Sequence, residues 1–106
     1  MLDDFVIKTS VVVDGTVTVD SVATALDVSD IVTLVVKTNY DDTDAEAIIT
    51  VIASHLVATG GVRFTMTPTI TDVDAGSYYY EIKWVSGTDV YILETSRVTI
   101  SKRIFD

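Results

Sequence analysis

The chain has no cysteine and a single histidine, His55. The first absence excludes a disulfide scaffold, a thiolate metal site and a cysteine nucleophile. The second leaves no His-based catalytic triad and no multi-histidine metal site. One proline, Pro68, and five glycines are present, at 15, 60, 61, 76 and 87. Gly60-Gly61 precedes an apolar run of strand type, so no phosphate-cradling loop opens onto a helix. No apolar run approaches the length of a membrane span. The start, MLDDFVIK, is acidic at once, with neither the basic region nor the apolar core of a signal peptide. Folding in the cytoplasm where the chain is made is therefore the expectation.

Positive charge is scarce as well. Seven lysines and arginines face sixteen acids, a formal net charge of −9. Phosphate binding needs clustered bases, so a nucleic-acid partner is not expected. An anionic membrane surface is not expected either. The plain reading of this charge is a well-solvated surface.

Valine and threonine dominate what is there, with isoleucine and tyrosine behind them. These residue types suit a pleated, half-buried surface. At 106 residues the chain reads as one domain, 1–106. A chain of this size buries roughly two-thirds of its unfolded surface, so it needs no metal or disulfide staple. Glycine and loop signals divide it into about eight strands. They run over 5–13, 16–19, 31–38, 47–55, 62–70, 77–85, 89–96 and 97–105. Asp14-Gly15 reads as a two-residue hairpin turn. In Thr16–Val19 valines alternate with threonines, one face in and one out. Ser21–Asp30 reads as a connection with room for one helical turn. The nearly unbroken apolar run Ile31–Thr38 implies a central strand with both faces partly covered. Ser86-Gly87-Thr88 reads as a turn.

The stretch DVDAGSYYYEIKW, Asp72 to Trp84, holds the densest aromatic cluster. Strand periodicity puts Tyr78, Tyr80, Ile82 and Trp84 on one face, and Tyr79, Glu81, Lys83 and Val85 on the other. The polar pair Glu81 and Lys83 makes the second face the outer one. Tyr79 is then an exposed tyrosine beside charges, and an interface candidate. Asp74-Ala75-Gly76-Ser77-Tyr78 resembles the D-A-G-x-Y signature of immunoglobulin-like sandwiches. In those the tyrosine forms a corner, its hydroxyl bonding back to nearby backbone. The resemblance implies an all-β immunoglobulin-like β-sandwich of seven to eight antiparallel strands.

A longer pattern resembles the immunoglobulin-like modules of tailed-bacteriophage virions, in particular the N-terminal domain of baseplate upper proteins. Its elements are Leu26-Asp27-Val28-Ser29, Val36-Lys37, Gly61–Thr67, Gly76–Ile82, Gly87, Ile92-Leu93 and Val98-Thr99-Ile100. The pattern's last turn falls at Glu94-Thr95-Ser96. What the resemblance implies is a non-enzymatic virion structural protein without cofactor, decorating or attaching to the capsid as an auxiliary head protein. Its partners would be other virion proteins, a major capsid or a baseplate or tail protein, and its own copies. Two alternatives stand beside this: a tail or baseplate adaptor, or a module that binds carbohydrate or a cell surface. The last needs aromatic loops, and the loops here carry only Tyr40.

Few residues offer chemistry. Asp41, Asp42, Asp44 and Glu46 crowd one loop, where hard oxygen ligands could meet calcium. The spacing lacks the glycine and distal glutamate of an EF-hand, so a solvated loop without metal is the expectation. Asp72 and Asp74 read as turn residues. His55 reads as a surface or satisfied residue. No enzyme is expected. The chain ends supply interface candidates: Leu2 and Phe5 at one, Lys102, Arg103, Ile104 and Phe105 at the other. Apolar residues outside a completed core need a cover. The expectation is that residues 102–106 contact a neighbouring subunit, with Ile104 and Phe105 as anchors.

Overall fold

The computed structural model describes residues 2–103, and Ile104 and Phe105 lie outside the described residues. The fold is all-β. Ten strands form among the described residues: β1 (Phe5–Val6), β2 (Val11–Thr16), β3 (Thr18–Val19), β4 (Val22–Ala23), β5 (Ile31–Lys37), β6 (Ile49–Ile52), β7 (Ser54–His55), β8 (Gly61–Met66), β9 (Gly76–Ser86) and β10 (Asp89–Ser101). The larger sheet has the order β1-β10-β9-β5-β6, and a smaller one the order β2-β8-β7. β3 and β4 make a separate hairpin. The inner faces of both sheets feed one core, with Phe64, Met66 and Val62 from the smaller and Leu34, Ile82, Val36 and Ile100 from the larger.

The alternation in β9 governs the larger sheet. Tyr78, Tyr80, Ile82 and Trp84 are buried, while Tyr79, Glu81, Lys83 and Val85 are only half-buried. Residues opposite each other in an antiparallel pair share a face. Val32, Leu34 and Val36 of β5 lie opposite Trp84, Ile82 and Tyr80, and complete the inner face. Val35 points to the outer face and is still only 2% exposed. The apolar run of β5 is thus covered on both sides.

Asp14-Gly15 is not a hairpin. Both residues lie inside β2, opposite Arg63 and Val62 of β8. The Arg63 guanidinium makes two hydrogen bonds to the Asp14 carboxylate, at 2.7 and 2.9 Å. A ladder of six residue pairs with a strand some fifty residues away outweighs the local turn preference. The hairpin comes later, at Asp20-Ser21, where φ is +52° and +66° and β3 pairs with β4. Its position also breaks the expected face: Val17 is buried and Val19 exposed.

Four expected strands divide or merge. The span 5–13 splits at Lys8, whose φ of +56° turns the chain from the larger sheet into the smaller. Thr71 fixes this crossing. Its hydroxyl donates to the Thr9 carbonyl (2.7 Å) and accepts from the Thr9 N–H (3.0 Å), and its carbonyl accepts from the Lys8 N–H (3.2 Å). The span 47–55 also changes sheet: β6 pairs with β5, and β7 with β8. No turn forms at Glu94-Thr95-Ser96, which lies within the thirteen-residue β10. The interruption there is a register shift between Ile92 and Glu94 that leaves Leu93 unpaired. Such a bulge bends a strand without ending it.

Two glycines occupy left-handed backbone in different surroundings. Gly87 (φ +62°) opens the β9–β10 turn into empty space, whereas a Cβ on Gly60 (φ +72°) would sit 2.7 Å from the Val17 carbonyl oxygen and 2.9 Å from that of Thr24. Gly87→Ala carries the left-handed penalty alone, about 1 kcal/mol. Gly60→Ala must also displace backbone, and about 2–4 kcal/mol is expected. Denaturant melts of the two variants measure the difference, and equal losses would contradict it.

Candidate functional site

The outer face of the larger sheet carries the fold's main polar construction. Lys37, Tyr79 and Arg97 lie side by side across β5, β9 and β10, with Lys83 further along β9. The acidic segment folds over this face through a short 3-10 turn, Asp44–Glu46. Asp44 places one carboxylate oxygen 2.8 Å from the Lys37 ammonium and the other 2.5 Å from that of Lys83. Those two bonds hold its carboxyl below the usual range, with Lys37 the larger influence. Lys37 is itself nearly buried, and its bond to Asp44 raises its pKa. The loop is therefore no free acidic cluster. Asp42 is also engaged, accepting the Asn39 N–H at 3.0 Å. Glu46 accepts from the Thr43 N–H and hydroxyl. Carboxylates tied down in this way are poorly placed to gather round a cation.

Tyr79 stands beside that clamp but is not the open tyrosine expected from the register. The Tyr40 ring meets it edge-on at 5.7 Å, and the Arg97 guanidinium lies 5.5 Å from its ring centre. Tyr40 is the more exposed ring. Tyr78 bonds back through its hydroxyl to the Asp74 carbonyl, at 2.5 Å. Burial raises its pKa. A Cβ on Gly76 would meet the Tyr78 ring at 3.6 Å, an ordinary contact, so the packing there does not itself demand glycine. The Tyr80 hydroxyl donates to the Glu94 carboxylate at 2.6 Å. Burial first, and that bond second, push Tyr80 up to about 12.

The chain ends part company with expectation. Leu2 and Phe5 are buried in the domain's own core, so neither offers an exposed anchor. The β1 pairing with β10 and the Asp4 carboxylate, which accepts the Thr99 N–H at 2.8 Å, hold that segment in place. Lys102 and Arg103 are exposed. His55 donates through Nε2 to the Asp30 carbonyl at 2.9 Å, at the far end of the larger sheet from them. Nearby, the Asp27 N–H holds the Asp30 carboxyl low, helped by Ser86. The buried Trp84 N–H faces the same carboxylate outside hydrogen-bond geometry and has no partner among the described residues.

Residue-by-residue reading did not identify an apolar groove beside β10. It is about 290 Å³, lined by Thr18 and Val19 of β3, Trp84 of β9, and Tyr91, Ile92 and Leu93. The Trp84 and Tyr91 rings lie 4.9 Å apart along it. A second opening of about 210 Å³ continues it inward past Val17 to Val32, Val62 and Ile82. The available signal was Val90-Tyr91-Ile92, apolar on both faces of a strand and 46–58% exposed.

Asp44→Asn should cost about 1–3 kcal/mol at neutral pH, because it leaves Lys37 short of its counter-ion; the figure allows for the carboxylate's own exposure. Asp44's folded pKa is depressed, so its contribution is complete above the unfolded value and fades as pH falls below about 4. Urea melts from pH 7 to pH 2 should show the wild type losing part of its advantage over the variant in that window. A constant difference would separate Asp44 from acid lability. Millimolar calcium followed by chelator should leave the melting temperature unchanged, since a bound ion would raise it by mass action. Trp84→Ala should cost about 3–5 kcal/mol, and Tyr79→Ala about 1. Comparisons of the chain with protein families, with curated proteins and with solved structures return no match.

Proposed function

We propose that this chain is an immunoglobulin-like module of a tailed-phage virion, a small non-enzymatic protein that attaches to or decorates the capsid. The strand arrangement carries the reading. A first strand lies parallel to the last, followed in the sheet by β9, β5 and β6, and the strand after the crossing at Lys8 joins β8 and β7 on the opposite side. In an immunoglobulin-like sandwich those places belong to the A′, G, F, C and C′ strands and to B, E and D. The Tyr78 hydroxyl on the Asp74 backbone supports the same reading, as the tyrosine corner of such folds.

Fold does not fix function. The virion reading rests on the resemblance that runs from Leu26 to Ile100, and on surfaces suited to contact with protein. The test uses particles produced by the genome that encodes the chain. Gradient-purified particles should contain it in many copies per particle by quantitative mass spectrometry. Immunogold labelling should decorate heads. Label confined to the tail tip would move the module to the baseplate, and absence from purified particles would overturn the reading.

A further inference from the structure

We propose that the groove beside β10 receives residues 102–106 of a second copy as an added strand, joining copies head to tail. The inference is independent of the virion reading. β10 is thirteen residues long, but on its free side β1 pairs with it only at Ile100 and Ser101. From Asp89 to Leu93 that edge has no strand partner among the described residues. An open edge presents a row of backbone donors and acceptors that an extended segment can complete.

The side chains around the edge specify the occupant. Tyr91 lies opposite Trp84 on the inner face, and Val90 and Ile92 lie opposite Val85 and Lys83 on the outer. A guest strand therefore needs apolar residues on both faces, at adjacent positions. Acids flank the lining residues along the chain: Asp20 follows Val19 at the tip of the β3–β4 hairpin, and Asp89 starts β10 two residues before Tyr91. The guest therefore needs basic residues beside its apolar pair. Within this chain Lys102-Arg103-Ile104-Phe105 has that order, and Lys102-Arg103 is its only adjacent basic pair. Alternation would set Phe105 inward against Trp84 and Tyr91, and Ile104 outward along Val90 and Ile92. Arg103 would share the inward side with Phe105 and meet the acidic rim.

Two other occupants fit less well. Residues 102–106 do not reach the groove of their own chain. Leu93 lies eight residues back along the strand from Ser101, about 27 Å, whereas this five-residue segment spans at most about 17 Å when extended. A two-fold pairing of β10 with β10 that matched Val90 to Leu93 and Tyr91 to Ile92 would set Asp89 against Glu94. Like charges directly opposite each other destabilise such a pair.

The contact is heterologous, so complementation tests it. Full-length protein should sediment above its monomer mass of 11.5 kDa as concentration rises toward millimolar. Removing residues 102–106 should abolish this, as should Ile92→Lys in the groove, a change made at an exposed position. Each variant should keep its own cooperative melt and stay monomeric alone. Mixed, the tail-less chain and the Ile92→Lys chain should form dimers and stop there, since one supplies the groove and the other the tail. A peptide of residues 101–106 should shift the fluorescence of Trp84, the only tryptophan, saturably in the tail-less chain, and Phe105→Ala in the peptide should remove the shift. Protein that stays monomeric to millimolar concentration, self-association that survives loss of the tail, or a mixture that never dimerises would overturn the proposal.

Discussion

Every pairing in the larger sheet is counted from β9. It is flanked on both sides, by β5 and by β10, and its alternation decides which side chains of three strands enter the core. With Tyr78, Tyr80, Ile82 and Trp84 inward, Leu34, Val36 and Val98 must follow, because residues across a ladder share a face. A slip of one residue would bring Glu81 and Lys83 into the core and turn three aromatics out. The Tyr78 hydroxyl on the Asp74 carbonyl pins one end of this register. Glu94 under the Tyr80 hydroxyl ties it to β10. β2 takes its place from β8, through the ladder and the Arg63–Asp14 pair, and its constraint comes from a strand distant in sequence.

That contrast explains what could be read from the sequence. The faces of β9 were legible because one strand carries its own alternation and charged residues mark the outer side. The corner at Tyr78 was legible because its partner is four residues away. The cover over Val35 was half legible: the length of the apolar run implied it, but not that Asp44 would bridge two lysines to supply it. The misplaced hairpin shows the limit. Asp14-Gly15 has the local chemistry of a turn, and the residue that keeps Asp14 in a strand, Arg63, stands forty-nine positions on. The crossing at Lys8 depends in the same way on Thr71, sixty-two positions from Thr9. Nothing in Phe5–Val13 itself announces that the strand must change sheets.

The candidate interface residues divide along the same line. Leu2 and Phe5 look unclaimed in the sequence because the core that takes them is assembled from residues far along the chain, with Phe5 opposite Ile100. The groove near Trp84 escaped notice for the opposite reason. Tyr91 and Ile92 belong to a plausible strand, and only the short β1 and the displaced hairpin of β3 and β4 leave that strand's edge open. Burial and exposure here follow from how far each strand extends, a property of the assembled sheet.

The unpaired Leu93 has a consequence for how this segment can vary. Side chains alternate with a period of two, so one extra residue reverses the facing of everything before it. Tyr91 reaches Trp84 only because that residue is present. Losing any one residue between Tyr91 and Glu94 would exchange the two surfaces of the strand's first half, with every amino acid type in it unchanged. The stretch can therefore accept new side chains far more readily than a new length, and an alignment gap there would separate molecules with different surfaces more sharply than many substitutions would.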